Sequence, residues 1–432
     1  MLTRDKNELL CRIEGDAPMG QMMRRYWLPA LTSGDLEAGG APRRVRLLGE
    51  DLVAFRSPDG KVGLVDEYCP HRGASLMLAR NEDCGLRCIY HGWAIDAEGT
   101  VVETPAEPPE SKLKERVRST AYPVHELGGV VWAYMGPAGE EPRLPDFEFT
   151  GMPADHIMIM RSREECNWAQ CQEGVIDSAH SNYLHSNGIK PKEGLAVTHV
   201  GEKLQFGRPS NDGAPKLEVE TQPYGFRYAA LRKPLQNPEQ NRYVRVTLYV
   251  APCFGIIPAP KGLGMMQFFV PIDDTHTMFY YVFWSYDKPF DQQTRDQYAF
   301  NHGLRVGVDM DENFRKIRTR DNNWMQDREA MKRGETFSGI FGINVEDFAV
   351  QESMGPVFDR SKEHLGASDL AVIHFRRLML DAVERFSSEG ALPPGLNTDF
   401  DYGKLRGAEG MVPHSQPWQS VLGEGVPKAA AE

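Results

Sequence analysis

The stretch that decides the fold is EYCPHRGASLMLARNEDCGLRCIYHGWAID, residues 67–96. It contains two short pairs of metal-binding side chains: one residue separates Cys69 from His71, and two residues separate Cys88 from His91. Sixteen residues lie between the two pairs. Thiolate and imidazole are ligands of both zinc and iron–sulfur clusters. The pattern therefore predicts a metal site held by two loops.

Two kinds of metal site fit these four ligands. Zinc would take them as a tetrahedral set of two thiolates and two imidazoles. A [2Fe–2S] cluster of mixed ligation would give two thiolates to one iron and two imidazoles to the other, which suits one Cys and one His in each half. A strand-like run precedes each pair, so that two loops can hold a cluster from both sides. We favour the cluster and keep zinc as the alternative.

The segments CPHRGA and CIYHGW resemble the ligand motifs of the Rieske [2Fe–2S] domain, and the region 45–140 resembles that domain. The resemblance implies that Cys69, His71, Cys88 and His91 hold the cluster. It leaves Cys84, inside the spacer, as a core or loop residue. Neutral imidazoles in place of two thiolates make such a cluster less negative and raise its reduction potential. A Rieske domain alone is an electron-transfer module.

A second group of polar residues lies in NWAQCQEGVIDSAHSNYLHSNG, residues 167–188. We predict a helix over 167–185, which places Glu173, Asp177 and His180 on one face. His185 follows five residues after His180, so both imidazoles reach one metal only if the helix bends or bulges. A polar helix with two ordinary histidines is the alternative. The stretch also resembles the mononuclear-iron motif of Rieske oxygenases, Asp-x-x-His followed by a second His.

That resemblance implies His180 and His185 as ligands of a non-haem Fe(II). It implies Asp177 as the carboxylate that bridges a Rieske histidine of one subunit to an iron-binding histidine of its neighbour. Carboxylates orient imidazoles in this way by accepting their N–H groups. We place Asn167 and Glu173 in the surroundings of the iron.

A facial triad requires one further carboxylate and leaves positions open for O₂. The segment GINVEDFAVQESMGPVFDRS, residues 342–361, resembles the C-terminal motif of phthalate-type oxygenases. We choose Asp347 as the third ligand, because members of that family place Asp there. Glu346, Asp359 and Asp369 are the rivals.

The segments CGLRCIYHGW, ERVRSTAYPV, WAYMGP and VQESMGP resemble the phthalate dioxygenase-like branch of this family. Its members act on aromatic carboxylates, either by cis-dihydroxylation or by O-demethylation, and pocket shape decides between the two. A carboxylate requires a cationic anchor, for which Arg is best suited. We choose Arg208 and Arg245, with Ser178 as a further contact. Strand alternation places Tyr243, Arg245 and Thr247 on one face.

The resemblance also implies partners. The chain has no Gly-rich nucleotide motif, so a separate NAD(P)H-dependent flavin/iron–sulfur reductase must supply electrons. Electron transfer between subunits implies a homo-oligomer, α3 or α6. An alternative of a different class is a non-catalytic Rieske electron carrier, which leaves the motif at 177–185 unexplained.

The predicted fold is α+β: an all-β Rieske domain and a catalytic, helix-grip-like domain with an antiparallel sheet flanked by helices. We predict an N-terminal helical segment at 1–28 that packs on the catalytic domain, a Rieske domain at 29–150 and a catalytic domain at 151–432. The 432 residues carry a net charge of -12, and no Lys/Arg-rich run or long apolar stretch is present. We therefore expect no nucleic acid or membrane as partner, and a cytoplasmic location.

Overall fold

The computed structural model describes residues 1–192, 197–200, 203–396 and 400–423. The chain divides into two compact units. Residues 13–145 form the smaller unit, and residues 1–12 join the chain from Asp146 onward in the larger unit. The segment predicted as one N-terminal piece, 1–28, is thus divided at Ile13.

The helices and strands are numbered in chain order. The α-helices are α1 (Arg4–Cys11), α2 (Pro18–Met23), α3 (Trp168–Val175), α4 (Gln292–His302), α5 (Arg328–Lys332), α6 (Ile343–Ser353) and α7 (Leu370–Glu389). The strands of the smaller unit are β1 (Trp27–Thr32), β2 (Arg43–Leu47), β3 (Glu50–Arg56), β4 (Val62–Asp66), β5 (Arg80–Glu82), β6 (Gly85–Arg87), β7 (Ala94–Ile95), β8 (Val101–Glu103), β9 (Val124–Leu127) and β10 (Val130–Tyr134). The strands of the larger unit are β11 (Ile157–Glu164), β12 (Ile189–Pro191), β13 (Val197–Val200), β14 (Lys203–Arg208), β15 (Lys216–Gln222), β16 (Gly225–Arg232), β17 (Asn241–Val250), β18 (Phe254–Ile256), β19 (Leu263–Asp273), β20 (His276–Ser285) and β21 (Ala408–Pro413).

The smaller unit is built from three antiparallel sheets, with strand orders β1-β10-β9, β2-β3-β4 and β5-β6-β7-β8. Residues Pro58-Asp59-Gly60 form the hairpin turn between β3 and β4, which pair antiparallel around it. The amide of Ser57 donates to the carbonyl of Lys61 at 2.9 Å. Gly60 has a φ of 93°, which only glycine adopts readily.

The larger unit is organised around one sheet of eight antiparallel strands. Seven of them follow the order β11-β20-β19-β18-β17-β16-β15, and β21 pairs with β17. Helix α3 packs against β19 and α6, while α7 packs against β15 and β16. A helix-flanked antiparallel sheet in the larger unit, and three sheets with the short helix α2 in the smaller one, confirm the predicted α+β fold. No helix in the described residues is long and apolar enough to cross a lipid bilayer.

The predicted helix over 167–185 is too long. Helix α3 ends at Val175, and a short 3₁₀ turn follows at His180–Asn182. The reason is local: one carboxylate oxygen of Asp177 accepts the amides of Ala179 at 2.8 Å and His180 at 3.4 Å. Asp side chains that bind nearby amides in this way compete with a continuing helix. His180 is therefore presented by a turn and not by a helical face.

The start of α7 shows the role of Asp369, one rival for the iron ligand. A 3₁₀ turn at Ala367–Asp369 precedes the helix and makes Asp369 the capping position. The carboxylate of Asp369 accepts the amide of Gly366 at 2.6 Å, so this rival for the iron ligand has a turn-forming role.

The chain after residue 390 contributes one strand to the main sheet. Residues 397–399 and 424–432 lie outside the described part, but β21 pairs with residues 241–246 of β17. The short strand β18 covers only residues 248–250 of β17, and β21 uses the backbone groups that remain. Strand β21 therefore belongs to the main sheet.

Candidate metal centres and substrate cavity

Two residues separate the end of β4 from Cys69, where the first cluster loop begins. The amide of Cys69 donates to the carbonyl of Ala74 at 2.9 Å, and the amide of Gly73 donates back to the carbonyl of Cys69 at 2.9 Å. Gly73 has a φ of 72°, in the left-handed region that favours glycine. These two bonds close a tight loop that presents His71.

The second cluster loop follows β6 directly and has the same closure. The amide of Cys88 donates to the carbonyl of Trp93 at 2.8 Å, and the amide of Gly92 donates to the carbonyl of Cys88 at 3.0 Å. Gly92 also has a positive φ, 77°. The glycine stands four residues after the cysteine in both loops, so the two halves are equivalent although their Cys–His spacings differ.

The two loops pair the thiols of Cys69 and Cys88 and, separately, the rings of His71 and His91. Cys69 and Cys88 are each 3% exposed, and the rings of His71 and His91 lie 4.5 Å apart. The ring of Trp93 stacks on His71 at 4.6 Å. Burial raises the pKa of Cys69 to about 11, although the backbone amides of its loop oppose this. The Cys69 thiol therefore loses its proton readily only to a metal, which fits a buried iron–sulfur cluster.

The larger unit contains a second group of metal-binding side chains. His180, His185 and Asp347 place their ligand atoms within 4.8 Å of one another. The two histidine Nε2 atoms are 3.2 Å apart, and Asp347 Oδ1 lies 3.4 Å from His180 Nε2 and 3.0 Å from His185 Nε2. Two imidazoles and one carboxylate that converge in this way are the ligand set of non-haem Fe(II) oxygenases. Asp359 lies elsewhere and accepts from Ser361.

The neighbour of Asp347 in sequence supports the same histidine from its other side. Glu346 Oε2 lies 2.8 Å from His185 Nδ1, and Ser338 donates to Glu346 Oε1 at 2.5 Å. Burial opposes a charge on His185, but Asp347 and Glu346 outweigh it and raise the pKa of His185 to about 10. The site therefore stabilises positive charge, as a divalent metal requires. The sequence indicates Glu346 only as a rival ligand of the iron. In the structure it is instead the hydrogen-bond partner of His185.

We expect Glu346→Gln to weaken Fe(II) binding by about 10- to 100-fold, the usual effect of losing such a supporting carboxylate. The substitution keeps the shape of the side chain but removes the charge that fixes the orientation of His185. A chelator competition on the purified protein measures the affinity. Glu335→Gln is the matched control, because Glu335 is 58% exposed and pairs with Arg333. Equal Fe(II) affinity of Glu346→Gln and the unmodified protein would contradict the prediction.

Asp177 lies beside the iron-site histidines. Its Oδ2 atom is 3.7 Å from His180 Nδ1, which is longer than a hydrogen bond. Burial opposes ionisation, but His180 and the amides of the turn outweigh it and lower the pKa of Asp177. The ionised carboxylate is thus available to an N–H donor. A bridge from Asp177 to a neighbouring subunit stays a prediction.

Glu173 and Asn167 do not belong to the iron site. Glu173 accepts from Arg360 at 2.8 Å and from Arg376 at 2.7 Å, in a buried ion network. Asn167 caps α3 through the amide of Ala169 and donates to the carbonyl of Cys11 at 2.9 Å. The predicted common face of Glu173 and His180 is lost because α3 ends between them.

We expect Glu173→Ala to lower the free energy of unfolding by about 3–5 kcal/mol, because it leaves buried arginine charges without their partner. Fe(II) affinity should stay unchanged. Urea unfolding and iron analysis measure the two quantities. Glu8→Ala removes an exposed pair with Arg12 and should cost less than about 1 kcal/mol. If Glu173→Ala lost iron but kept its stability, the result would contradict this assignment and show that Glu173 supports the iron site.

A cavity opens beside His180, His185 and Asp347. The inner face of the main sheet forms one wall, and the predicted alternation in β17 is confirmed. The side chains that β17 and β20 contribute are Tyr243, Arg245, Thr247, Phe279, Tyr281 and Phe283. The wall is largely aromatic, as suits a planar apolar ring.

Arg208 and Arg245 both line this cavity. Arg245 donates to Glu409 Oε2 at 2.8 Å. Arg208 donates to the neutral oxygens of Asn182 at 2.7 Å and Ser181 at 3.1 Å. Glu409 belongs to β21 and was missed, because the short segment that carries it has no strand pattern in the sequence.

The positive charges of this wall are only partly balanced. Burial, followed by the charges of Arg245 and Arg232, lowers the pKa of Arg208 to about 10. Arg232 donates to the carbonyl and the hydroxyl of Ser178, at 2.7 Å and 3.1 Å. Ser178 lines the cavity as predicted, with its hydroxyl held by an arginine that was not predicted. An anion in the cavity would relieve the repulsion between these guanidinium groups.

The fold and the two metal centres define a protein with a Rieske cluster domain and an iron-dependent catalytic domain. The model of the Rieske [2Fe–2S] domain matches residues 26–123, and the model described as "LigXa C-terminal domain like" matches residues 133–429. The chain therefore belongs to the Rieske oxygenases, as an oxygenase subunit. It carries a [2Fe–2S] cluster and a mononuclear iron, so the zinc alternative and the non-catalytic alternative are set aside.

Within this family the chain is similar to two dioxygenase subunits. It is 48% identical over 402 residues to the phthalate 4,5-dioxygenase oxygenase subunit of Pseudomonas putida, covering 91% of this chain and 89% of the relative. It is 38% identical over 434 residues to the 3-chlorobenzoate-3,4-dioxygenase oxygenase subunit of Comamonas testosteroni, covering 97% of each chain. A solved structure with the same fold is the terminal oxygenase of carbazole 1,9a-dioxygenase from Nocardioides aromaticivorans IC177, with a TM-score of 0.55, 17% identity and coverage of 88% of this chain and 96% of that one.

Proposed function

We propose that this chain cis-dihydroxylates an aromatic dicarboxylate of the phthalate class. The observation that carries the proposal is the position of Arg208 and Arg245 in the wall of the aromatic cavity that also contains the iron site. Guanidinium groups bind carboxylates through paired hydrogen bonds. The similarity to phthalate 4,5-dioxygenase supports the same class of substrate.

The charge balance favours two carboxylates over one. Glu409 is shared by Arg245 and Tyr243, and Arg208 donates only to neutral oxygens among its described partners. One substrate carboxylate would face Arg208, and a second would compete with Glu409 for Arg245. The aromatic side chains then receive the ring and exclude water from it.

We assign the cluster to Cys69, His71, Cys88 and His91, and the mononuclear iron to His180, His185 and Asp347. When bound, the iron supplies O₂ activation and the cluster supplies electrons. The chain's own residues orient the reactants: Glu346 fixes the ring of His185 and the arginines fix the acid. Asp177 would accept an N–H from a cluster histidine of a neighbouring subunit.

The overall reaction combines one aromatic ring, one O₂, two electrons and two protons into one cis-dihydrodiol. We propose that a separate NAD(P)H-dependent flavin/iron–sulfur reductase supplies the electrons, because the chain has no nucleotide-binding motif of its own. Transfer through Asp177 to a second subunit requires a homo-oligomer, α3 or α6. We propose a cytoplasmic location, where NAD(P)H is available.

A product screen tests the function. The iron-loaded protein and a generic NADH-dependent reductase are given phthalates, chlorobenzoates and methoxybenzoates. We expect a cis-dihydrodiol from phthalate and no turnover of dimethyl phthalate, which has the same ring without the charges. Formaldehyde from methoxybenzoates, without diol from phthalate, would establish O-demethylation instead. Turnover of none of the acids would contradict the proposal.

A further inference from the structure

The cavity contains a histidine that the proposed reaction does not use. His302 is the last residue of α4, is 2% exposed and lines the cavity. The ring of Tyr298 stacks on it at 5.8 Å and 18°, and the ring of Tyr281 meets it edge-on at 5.2 Å. The imidazole is therefore fixed by packing within an aromatic wall.

The hydrogen bond of one ring nitrogen determines the tautomer of His302. Its Nδ1 lies 2.7 Å from the carbonyl oxygen of Tyr298. A carbonyl only accepts hydrogen bonds, so Nδ1 carries the proton. Burial lowers the pKa of His302 to about 4, which keeps the ring neutral. Nε2 then has no proton and is a hydrogen-bond acceptor.

Nothing in the described part of the wall donates to this acceptor. Nδ1 is turned to the helix backbone, so the ring edge with Nε2 is the one left for the cavity. The hydroxyl group of Tyr281, whose ring contacts His302, is directed to the sulfur of Met265 at 3.4 Å. An acceptor at the wall of an aromatic cavity gains from a ligand that supplies a hydrogen-bond donor.

His302 and the arginines occupy different sides of the cavity. Arg245 lies on β17, whereas Tyr281 and Phe283, which hold the ring of His302, lie on β20. Strands β18 and β19 separate β17 from β20 in the sheet. One side of the cavity therefore has arginines that can bind an anion, and the other side has the hydrogen-bond acceptor of His302.

We propose that His302 is a specificity-determining residue whose Nε2 accepts a hydrogen bond from a hydroxyl group on the aromatic ligand. The ligand class is a hydroxylated aromatic acid, with its carboxylates toward the arginines and its hydroxyl toward α4. Its anionic part rests on the proposed function. The same acceptor serves a ring hydroxyl of a substrate and a new hydroxyl of the diol product.

Ligand binding under anaerobic conditions tests this role. The iron-loaded protein is titrated with phthalate, 4-hydroxyphthalate and 4-methoxyphthalate, which differ only in the group opposite the carboxylates. We expect the hydroxyl compound to bind about tenfold more tightly than the methoxy compound, the usual effect of one hydrogen bond to a buried acceptor. Inhibition by the diol product, measured separately, distinguishes recognition of product from recognition of substrate.

His302→Phe keeps an aromatic ring but removes the acceptor, and should reduce the ratio of the two dissociation constants to about one. His302→Gln restores an acceptor and should recover part of the preference. His364→Phe, at an exposed histidine, is the control. Iron content and the cluster spectrum verify that each variant is folded. An unchanged ratio in His302→Phe, or no preference in the unmodified protein, would overturn the inference.

A second pair of ligands separates the two proposals. Phenol and anisole lack carboxylates and test the acceptor alone. If none of the acids binds, the proposed function fails, yet a preference for phenol that His302→Phe removes still supports the role of His302. If the acids bind but neither pair shows a preference for the hydroxyl compound, only the role of His302 fails.

Discussion

Asp347→Ala is expected to lose the mononuclear iron, keep the [2Fe–2S] cluster and reduce oxygenation to the level of the iron-free protein. Asp347 supplies the only carboxylate in the group of three ligand atoms within 4.8 Å of one another. Without it, His180 and His185 offer two neutral nitrogens, which bind Fe(II) weakly. Iron analysis, the visible and EPR spectra of the cluster, and product formation measure the three effects.

The matched control for Asp347→Ala is Asp359→Ala. Asp359 stands in the same C-terminal motif and was a rival for the third ligand, but its carboxylate accepts from Ser361 and pairs with Lys362. This variant should retain iron and activity. Loss of iron from Asp359→Ala, or full iron content in Asp347→Ala, would mean that the metal takes its carboxylate elsewhere.

Arg245→Gln and Arg208→Gln are each expected to raise the KM for phthalate by roughly 30-fold to several thousand-fold. Truncating one partner of a buried, hydrogen-bonded charge pair costs about 2–5 kcal/mol, which corresponds to that range. Glutamine keeps a polar side chain of similar reach but loses the charge and the paired donors. The kcat should fall less than kcat/KM, because the arginines act on binding.

Two comparisons sharpen the test of the arginines. Arg242→Gln changes another arginine of β17, which donates to the carbonyl of Gln416, and should leave KM unchanged. Benzoate lacks one carboxylate, so one of the two cavity variants should affect it much less than phthalate. If Arg208→Gln, Arg245→Gln and Arg242→Gln raised KM equally, the net charge of the protein, and not a specific carboxylate site, would control binding.

The cluster site could be read from the sequence because its ligands are close together along the chain. Each loop closes within six residues, so the motif contains almost all of its geometry. The position of Arg245 could also be predicted from a short segment, because side chains alternate between the two faces of a strand with a fixed period of two. Both predictions depend only on residues that are close together along the chain.

The partners Glu346 and Glu409, and the true place of Glu173, could not be predicted because they depend on contacts between distant segments. Glu346 and Asp347 are adjacent, and only the docking of α6 decides which of them faces the metal. Glu409 reaches Arg245 because β21 completes an edge of β17. Glu173 was misplaced because a side chain that caps a turn ended α3 early. A sequence pattern shows none of these events.

The contacts of His185 with Glu346 and Asp347 affect how the protein takes up iron. With both of its ring nitrogens beside carboxylates, at 2.8 Å and 3.0 Å, the apoprotein holds this ring as an imidazolium at neutral pH. The proton on Nδ1 stays with Glu346, while the proton on Nε2 lies toward Asp347 and occupies the position that the metal would take. Arriving Fe(II) must expel it, so metal uptake releases a proton, and acid competes directly with iron for the same nitrogen.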